Sequence, residues 1–231
     1  MKVTTTYFKQ IHFTQLFINF SRARQKQLRG TGRVEQDSVN SIAKQLLSRY
    51  PDESEASQVR RALLDPYFPL GMLERTLFAD VDGMRFFINK SRPDLEPVLI
   101  DALREWSEIF LRIRSDIETC YDPATITCIP LDGMRHRLPT EQWCTLCGLC
   151  CQIGGVPPMP LPGVLYPDHW SPCLAGDAME NQQLCPFLYQ YFGEPLFFCA
   201  IHNIKPVGCQ HFGKEACLRR LSERSLHTHK N

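Results

Sequence analysis

The sequence predicts a mainly α protein with two halves of different texture: a helical N-terminal half, and an irregular, loop-rich C-terminal half that contains a small β-hairpin. Three observations predict it. Apolar residues recur at helical spacing between residues 36 and 120. Prolines and glycines concentrate in 121–213, after Cys120. Nine of the eleven cysteines crowd between Cys144 and Cys217. A chain of 231 residues is long enough for one large or two small domains. On these grounds it divides into a basic, flexible arm over 1–34, a helical domain over 35–120 and a cysteine-cluster domain over 121–231.

The arm carries Lys2, Lys9, Arg22, Arg24, Lys26, Arg29 and Arg33 and no acid. Such a run reads as a poorly ordered terminal tail, ahead of a nucleic-acid arm, a membrane-surface helix or a transit peptide. Gly30-Thr31-Gly32 follows no strand, and Glu35 occupies the third glycine position, so it is not a dinucleotide loop. Val39, Ile42, Ala43, Leu46 and Tyr50 then form a helical stripe that Pro51 stops. Asp52 and Glu55 have capping-box spacing at the head of a helix bearing Val59, Leu63 and Leu64. "DPYFPLG" is a turn-rich joint. The strongest helix starts near Asp94: Leu99, Ala102, Leu103, Trp106, Ile109, Phe110, Ile113 and Ile117 make one apolar stripe. Asp101, Arg104, Glu105, Glu108 and Arg112 face away, with Glu108 and Arg112 at favourable i,i+4 spacing. The aromatic residues of this half read as core, and no catalytic constellation appears in it.

Beyond Cys120, "GGVPPMPLPG" (154–163) excludes helix and central strand. "PFLYQYF" and "PLFFCAI" flank Gly193-Glu194 as a hairpin, which brings Cys185 and Cys199 toward its open end. Pro206-Val207-Gly208 makes a turn before Cys209, and "EACLRRLSER" is a short charged helix carrying Cys217.

The residues that carry chemistry are thiols. "CTLCGLCC" puts Cys144, Cys147, Cys150 and Cys151 into eight positions, and Cys173, Cys185, Cys199, Cys209 and Cys217 follow. Thiols this dense are a disulfide framework, a redox site or metal ligands. The chain is 43% hydrophobic and 22% charged with a net charge of +1, which suggests no polyanionic partner and makes nucleic acid an unexpected ligand. No apolar run approaches the ~20 residues of a membrane span. The patchy N-terminus lacks a secretory h-region and cleavage site, so a cytoplasmic location is expected. Thiols stay reduced there, and clustered cysteines favour metal over disulfides. An odd total of eleven also forbids full pairing within one chain. All nine clustered cysteines are therefore candidate ligands. Cys120 and Cys128, outside the cluster and without close ligand spacing, are not.

Zinc takes thiols mostly in two pairs. The C-x2-C-x2-C run with a remote Cys185-Pro186 partly echoes the ferredoxin pattern, without its three-residue spacing before the last ligand. This favours an iron–sulfur cluster, [4Fe–4S] first, over zinc. Cys150 and Cys151, in extended backbone, would point to opposite sides and serve two different centres. Eight thiols without Cys173 suffice for two four-thiolate centres. His202 and His211 read as partly buried histidines bonded to backbone, and His136, His169, His227 and His229 as surface residues.

"CTLCGLCC", "LCPFL", "CAIHNIKPVGCQHF" and "ACLRRL", in that order, resemble the YkgJ-type CxxCxxCC cysteine-cluster family of zinc- or iron-chelating domains. The resemblance covers roughly the last 90 residues. It implies metal-binding positions at Cys144, Cys147, Cys150, Cys151, Cys185, Cys199 and Cys209, with Gly148, Ile201 and Pro206 on motif positions and Cys173 and Cys217 as outer cysteines. Lys205 stands where an arginine is common before the proline, and Gln210 where one often follows the last motif cysteine. A lysine methylase of flagellin carries a similar signature, which implies a metal-dependent protein-modifying enzyme as an alternative. No recognisable SAM loop accompanies it. The remaining alternative is a zinc-built interaction module that presents the helical half to a protein partner. The leading expectation is a metal-binding protein with two Cys-ligated centres in a redox, sensory or accessory role.

Overall fold

The computed structural model describes residues 13–30, 36–77, 95–120, 144, 146–151, 159–179, 182, 184–210 and 215–219. The elements run α1 (Phe13–Leu28), α2 (Gln36–Leu47), α3 (Glu53–Leu64), α4 (Leu70–Leu77), α5 (Leu95–Cys120), α6 (Trp170–Ala175), β1 (Leu188–Gln190), β2 (Phe197–Cys199) and α7 (Val207–Gln210). Three-residue 3₁₀ turns stand at Leu149–Cys151 and His202–Ile204, and 215–219 is helical. The architecture is mainly α with one two-stranded antiparallel sheet near the C-terminus. No strand occurs before residue 120 among the described residues.

Helix α5 is the central beam. Leu103, Trp106, Phe110 and Ile113 are buried on the stripe its sequence marks out. One side of α5 packs with α1–α4 and the hairpin, and Ile109 and Ile113 pack with Trp170, Cys173, Phe187, Ile201 and Ile204 on another. Asp52 caps α3 by accepting from the Ser54 and Glu55 amides at 2.6 and 3.3 Å. Glu55, the other half of the expected capping box, instead pairs with Arg104 of α5 at 2.9 Å. Arg112, expected to pair with Glu108, lies beside Cys173.

Residues 13–28 correct the expectation of a flexible arm. Phe13, Leu16, Phe17 and Phe20 recur at i, i+3, i+4 and i+7, and all are buried. Burying each phenylalanine stabilises by about 1.5–3 kcal/mol, which outweighs the local excess of positive charge. The basic residues act as tethers. Arg22 pairs with Glu74 of α4 at 3.3 Å, Arg24 donates to the Leu64 carbonyl at 2.6 Å, and Arg29 donates to the Gly193 carbonyl at 2.5 Å.

The hairpin has the register Leu188↔Cys199, Tyr189↔Phe198 and Gln190↔Phe197. Its tip presses on α1 so closely that a Cβ on Gly193 would lie 2.6 Å from the Gln25 carbonyl oxygen. Buried Gln190 joins it to α4 and the turn before it. The Gln190 amide donates to the Tyr67 carbonyl at 2.9 Å, its Oε1 accepts from the Gly71 amide at 2.9 Å, and its Nε2 donates to the Glu194 carbonyl at 2.9 Å. Tyr67 stacks on Tyr189 at 5.8 Å, and Arg114 of α5 lies 5.0 Å from the Tyr67 ring centre while pairing with Asp65. The change of texture near Cys120 is therefore no break in packing: both halves contribute to one hydrophobic core.

Candidate metal centre

The cysteine segment is bound to the hairpin by its backbone. The Phe197 amide donates to the Leu146 carbonyl at 2.7 Å, the Cys185 amide donates to the Cys151 carbonyl at 2.8 Å, and Cys147 forms a parallel bridge with Phe197. Between them Gly148 turns the chain at φ +71°, with Met72, Phe197 and Leu188 closing over it. That turn lets the Cys151 amide reach the Gly148 carbonyl at 3.1 Å. Cys150 and Cys151 consequently lie in a 3₁₀ turn and not in extended backbone. Successive side chains in such a turn diverge by about a third of a revolution. The two thiols contact each other instead of pointing to opposite sides.

Electrostatic influences among eight cysteines fall into two groups around this turn. Cys144 is influenced by Cys150, Cys217 and Cys147. Cys151 is influenced by Cys150, Cys199 and Cys185. Cys185 is influenced by Cys199, Cys209 and Cys150, and Cys199 by Cys150 and Cys209. Cys150 belongs to both lists and stands at the seam. All nine described cysteines carry free thiols. The hairpin delivers Cys199 at the end of β2, opposite Leu188, and Cys185 just ahead of β1, so both thiols come to its open end as the sequence predicts.

The electrostatics set two effects against each other. Burial pushes the Cys144 thiol up to about 11, and burial is likewise the first cause raising Cys185, Cys199 and Cys209, with neighbouring thiols adding to it. For Cys151 the hydrogen bond with Cys150 comes first and burial second. Backbone donors oppose this at three positions. The Leu146 amide donates to Cys144 Sγ at 3.3 Å, and backbone donors at Phe187 and Ile201 lower Cys185 and Cys199 in the same way. In each case the donor lies two residues beyond the sulfur, the turn in which an Asx oxygen accepts a backbone N–H. Lys205, itself buried, lowers Cys199 and Cys209 further. Thiolates are thus disfavoured by burial and partly supported by fixed donors. A bound thiophilic cation would reverse that balance by favouring the thiolate form.

In kind, the donor set fits a thiophilic metal or an iron–sulfur cluster: free thiols, several with backbone donors on sulfur. As arranged, no three Cys, His, Asp or Glu side chains among the described residues converge as ligands of one ion.

Cys173 stands apart from the gathered thiols. It lies on α6, donates to the His169 carbonyl at 3.3 Å, and has Arg112 and Asp116 as its charged neighbours. Burial raises its pKa, and Arg112 opposes the rise. His169, expected as a surface residue, has its Nε2 2.7 Å from Asp116 Oδ2, which also accepts from Trp170 Nε1 at 2.8 Å. Those two contacts fix α6 to α5. His202 is buried. His136, His211, His227, His229, Cys128 and the Cys120 side chain lie outside the described residues. Sequence reading missed Lys205 as a site residue. The available signal was its position, six residues after Cys199 and four before Cys209, but a lysine is ordinarily solvated and only the fold buries it.

No helix of the described residues is long and apolar enough to cross a membrane. Comparison of the chain with protein-family profiles, curated proteins and solved structures finds no match.

Proposed function

We propose that this chain is a metal-binding protein with two four-thiolate centres: Cys144, Cys147, Cys150 and Cys217 at one, and Cys151, Cys185, Cys199 and Cys209 at the other. What supports the reading is the backbone bonding that ties the cysteine segment to the hairpin bearing Cys185 and Cys199, together with the mutual electrostatic influence of eight free thiols in two groups that meet at Cys150-Cys151. Backbone alternation does not support it, because Cys150 and Cys151 lie in a 3₁₀ turn. Cys173 is no longer a ligand in this reading. Closing each set on its centre requires rotation of the cysteine side chains, driven by the metal–thiolate bonds.

The C-x2-C-x2-C run favours iron–sulfur clusters, and a redox, sensory or accessory role for them, while the resemblance to the YkgJ-type family fits either metal. The chain's own residues would supply thiolate ligands, backbone donors onto sulfur and a largely buried setting; a bound cluster would supply electron transfer. Zinc is the second reading. It is favoured by the shortness of the elements around the thiols, two three-residue strands and two 3₁₀ turns, because a structural ion ties such segments together. In that reading the helical half serves as an interaction surface. A methylase-like activity would need a cofactor site, and no residues among those described suggest one.

The test is metal analysis and visible absorption of protein purified without oxygen. The iron–sulfur reading expects iron, acid-labile sulfide and a brown chromophore. Two equivalents of zinc in colourless protein support the second reading. Metal-free protein that takes up neither zinc nor iron under reducing conditions ends both.

A further inference from the structure

Residues 142–167 carry no charged side chain, in a chain of which 22% is charged. The cysteine turn is one part of that run. Another is Met159-Pro160-Leu161-Pro162-Gly163-Val164-Leu165, which lies at the surface. Leu165 is 89% exposed and Met159 63%, the two most exposed large apolar side chains among the described residues. Pro160 and Pro162 are exposed beside them. Apolar residues scattered singly over a surface need no explanation, but four on one uncharged loop do.

The loop is held in shape. Pro162 and Gly163 stand at the centre of a turn, with Gly163 at φ +80° and the Val164 amide donating to the Leu161 carbonyl at 3.0 Å. This is the type II pattern, in which proline presets the first corner and glycine takes the second. Met159 and Leu161 each precede a proline, which biases both toward extended backbone. The base is tied down on both sides. The Val207 amide donates to the Met159 carbonyl at 2.9 Å, the Tyr166 hydroxyl donates to the Ile204 carbonyl, and the Tyr166 ring lies 5.8 Å from that of Trp170. An extended proline-bearing segment that is already ordered loses little freedom on binding.

We propose that Met159–Leu165 is a docking ridge for another protein, and that the partner offers a concave, uncharged groove lined by aromatic side chains. Pyrrolidine rings at fixed φ are what such grooves recognise. The absence of charge argues against an anionic lipid surface or a nucleic acid, both of which are met by lysine and arginine. Size argues against a second copy of this chain: a stable interface takes about 20–30 residues from each side, and the ridge offers far fewer. No thiol takes part, so the inference does not rest on the metal-binding reading.

In the experiment the full chain carries a photoreactive benzophenone side chain in place of Leu165, or in place of Met159. It is irradiated in extract of its own cells, and the adducts are mapped by mass spectrometry. The expected result is one protein other than this chain, caught from both positions, with the bond in an aromatic-lined groove. Pro160→Ala combined with Pro162→Ala should reduce the adduct at least about tenfold, the scale of a residue central to an interface. Leu165→Ser, read from position 159, should do the same with both prolines in place. Val98→Ser, which removes an exposed apolar side chain on α5, should change nothing.

An adduct with a second copy or with lipid overturns the inference. So does a partner bonded through a charged surface, or one that both the alanine and the serine variants retain. A yield no higher than from a benzophenone at Lys44, exposed on α2, overturns it as well.

Discussion

Replacing Gly148 with alanine tests whether the cysteine turn is shaped by packing or only by metal. The added Cβ would lie 2.7 Å from Met72 Cε, 2.9 Å from Phe197 Cβ and 3.3 Å from Leu188 Cδ1. Met72 Cε is the free end of a flexible side chain and can swing aside. Phe197 Cβ cannot easily do so, because its backbone amide is bonded to the Leu146 carbonyl on the same segment. The left-handed conformation at φ +71° costs a non-glycine residue about 1–2 kcal/mol. Overpacking adds about 1–3 kcal/mol. The sum, about 2–5 kcal/mol, is a large share of the ~5–15 kcal/mol that holds an ordinary domain folded. Gly163 supplies the control, with φ +80° and nothing within 4 Å of its would-be Cβ, so Gly163→Ala should show the conformational cost alone. Urea unfolding of reduced, metal-free protein, followed by far-ultraviolet circular dichroism, measures both. The packing argument fails if Gly148→Ala is no more destabilising than Gly163→Ala.

Four further expectations concern core and thiols. Phe17→Ala should cost about 3–5 kcal/mol in the same urea assay, since it empties a fully buried site in α1, and a loss under 1 kcal/mol would return that segment to the surface. Serine at Cys173, or at Cys120 and Cys128 together, should leave the number of bound metal equivalents unchanged, read by elemental analysis; lost metal would enrol that cysteine as a ligand. Cys150→Ser and Cys151→Ser should leave different residual metal, and identical residues of metal and identical spectra would collapse the two centres into one. Cys144 has its pKa raised by burial to about 11, so between its ordinary value near 9 and that value the native state holds a proton that the unfolded chain has released. Stability of the metal-free protein should therefore be fully present below about pH 9 and fall as pH rises through this window; a urea midpoint that rises there would contradict the burial of the thiols.

The helical half was legible because a helix writes its buried face into the sequence at a fixed period. The α5 stripe from Leu99 to Ile117 needs no partner to be recognised. The hairpin was legible for the analogous reason, with Gly193 marking its turn. Residues 13–28 follow the same rule, with Phe13, Leu16, Phe17 and Phe20 at helical period, but their run of basic residues without an acid masks it. Cys150-Cys151 could not be read locally: the 3₁₀ turn depends on Met72, Leu188 and Phe197 packing over Gly148, and two of those three lie about 40 or 50 residues away in sequence. The isolation of Cys173 depends likewise on a tertiary neighbour, α5, which supplies Arg112 and Asp116 beside it. Spacing identified which residues carry chemistry; only packing distributes them.

If the thiols bind metal as proposed, the hairpin tip resting on α1 would make metal affinity a property of the whole chain. Arg29 holds the Gly193 carbonyl and Gln25 packs against it, β1 begins three residues after Cys185 and β2 ends on Cys199, and Tyr189, Phe197 and Phe198 fill the space between helices and thiols. Ligation free energy gained at the thiols would then be shared with α1, more than a hundred residues earlier in sequence. A fragment beginning at residue 121 would keep every clustered cysteine yet lose the apolar surface that orders their backbone. Its four-thiolate sets would have to assemble from a flexible chain, and each metal bound would first meet the entropy that α1–α5 remove from the intact protein.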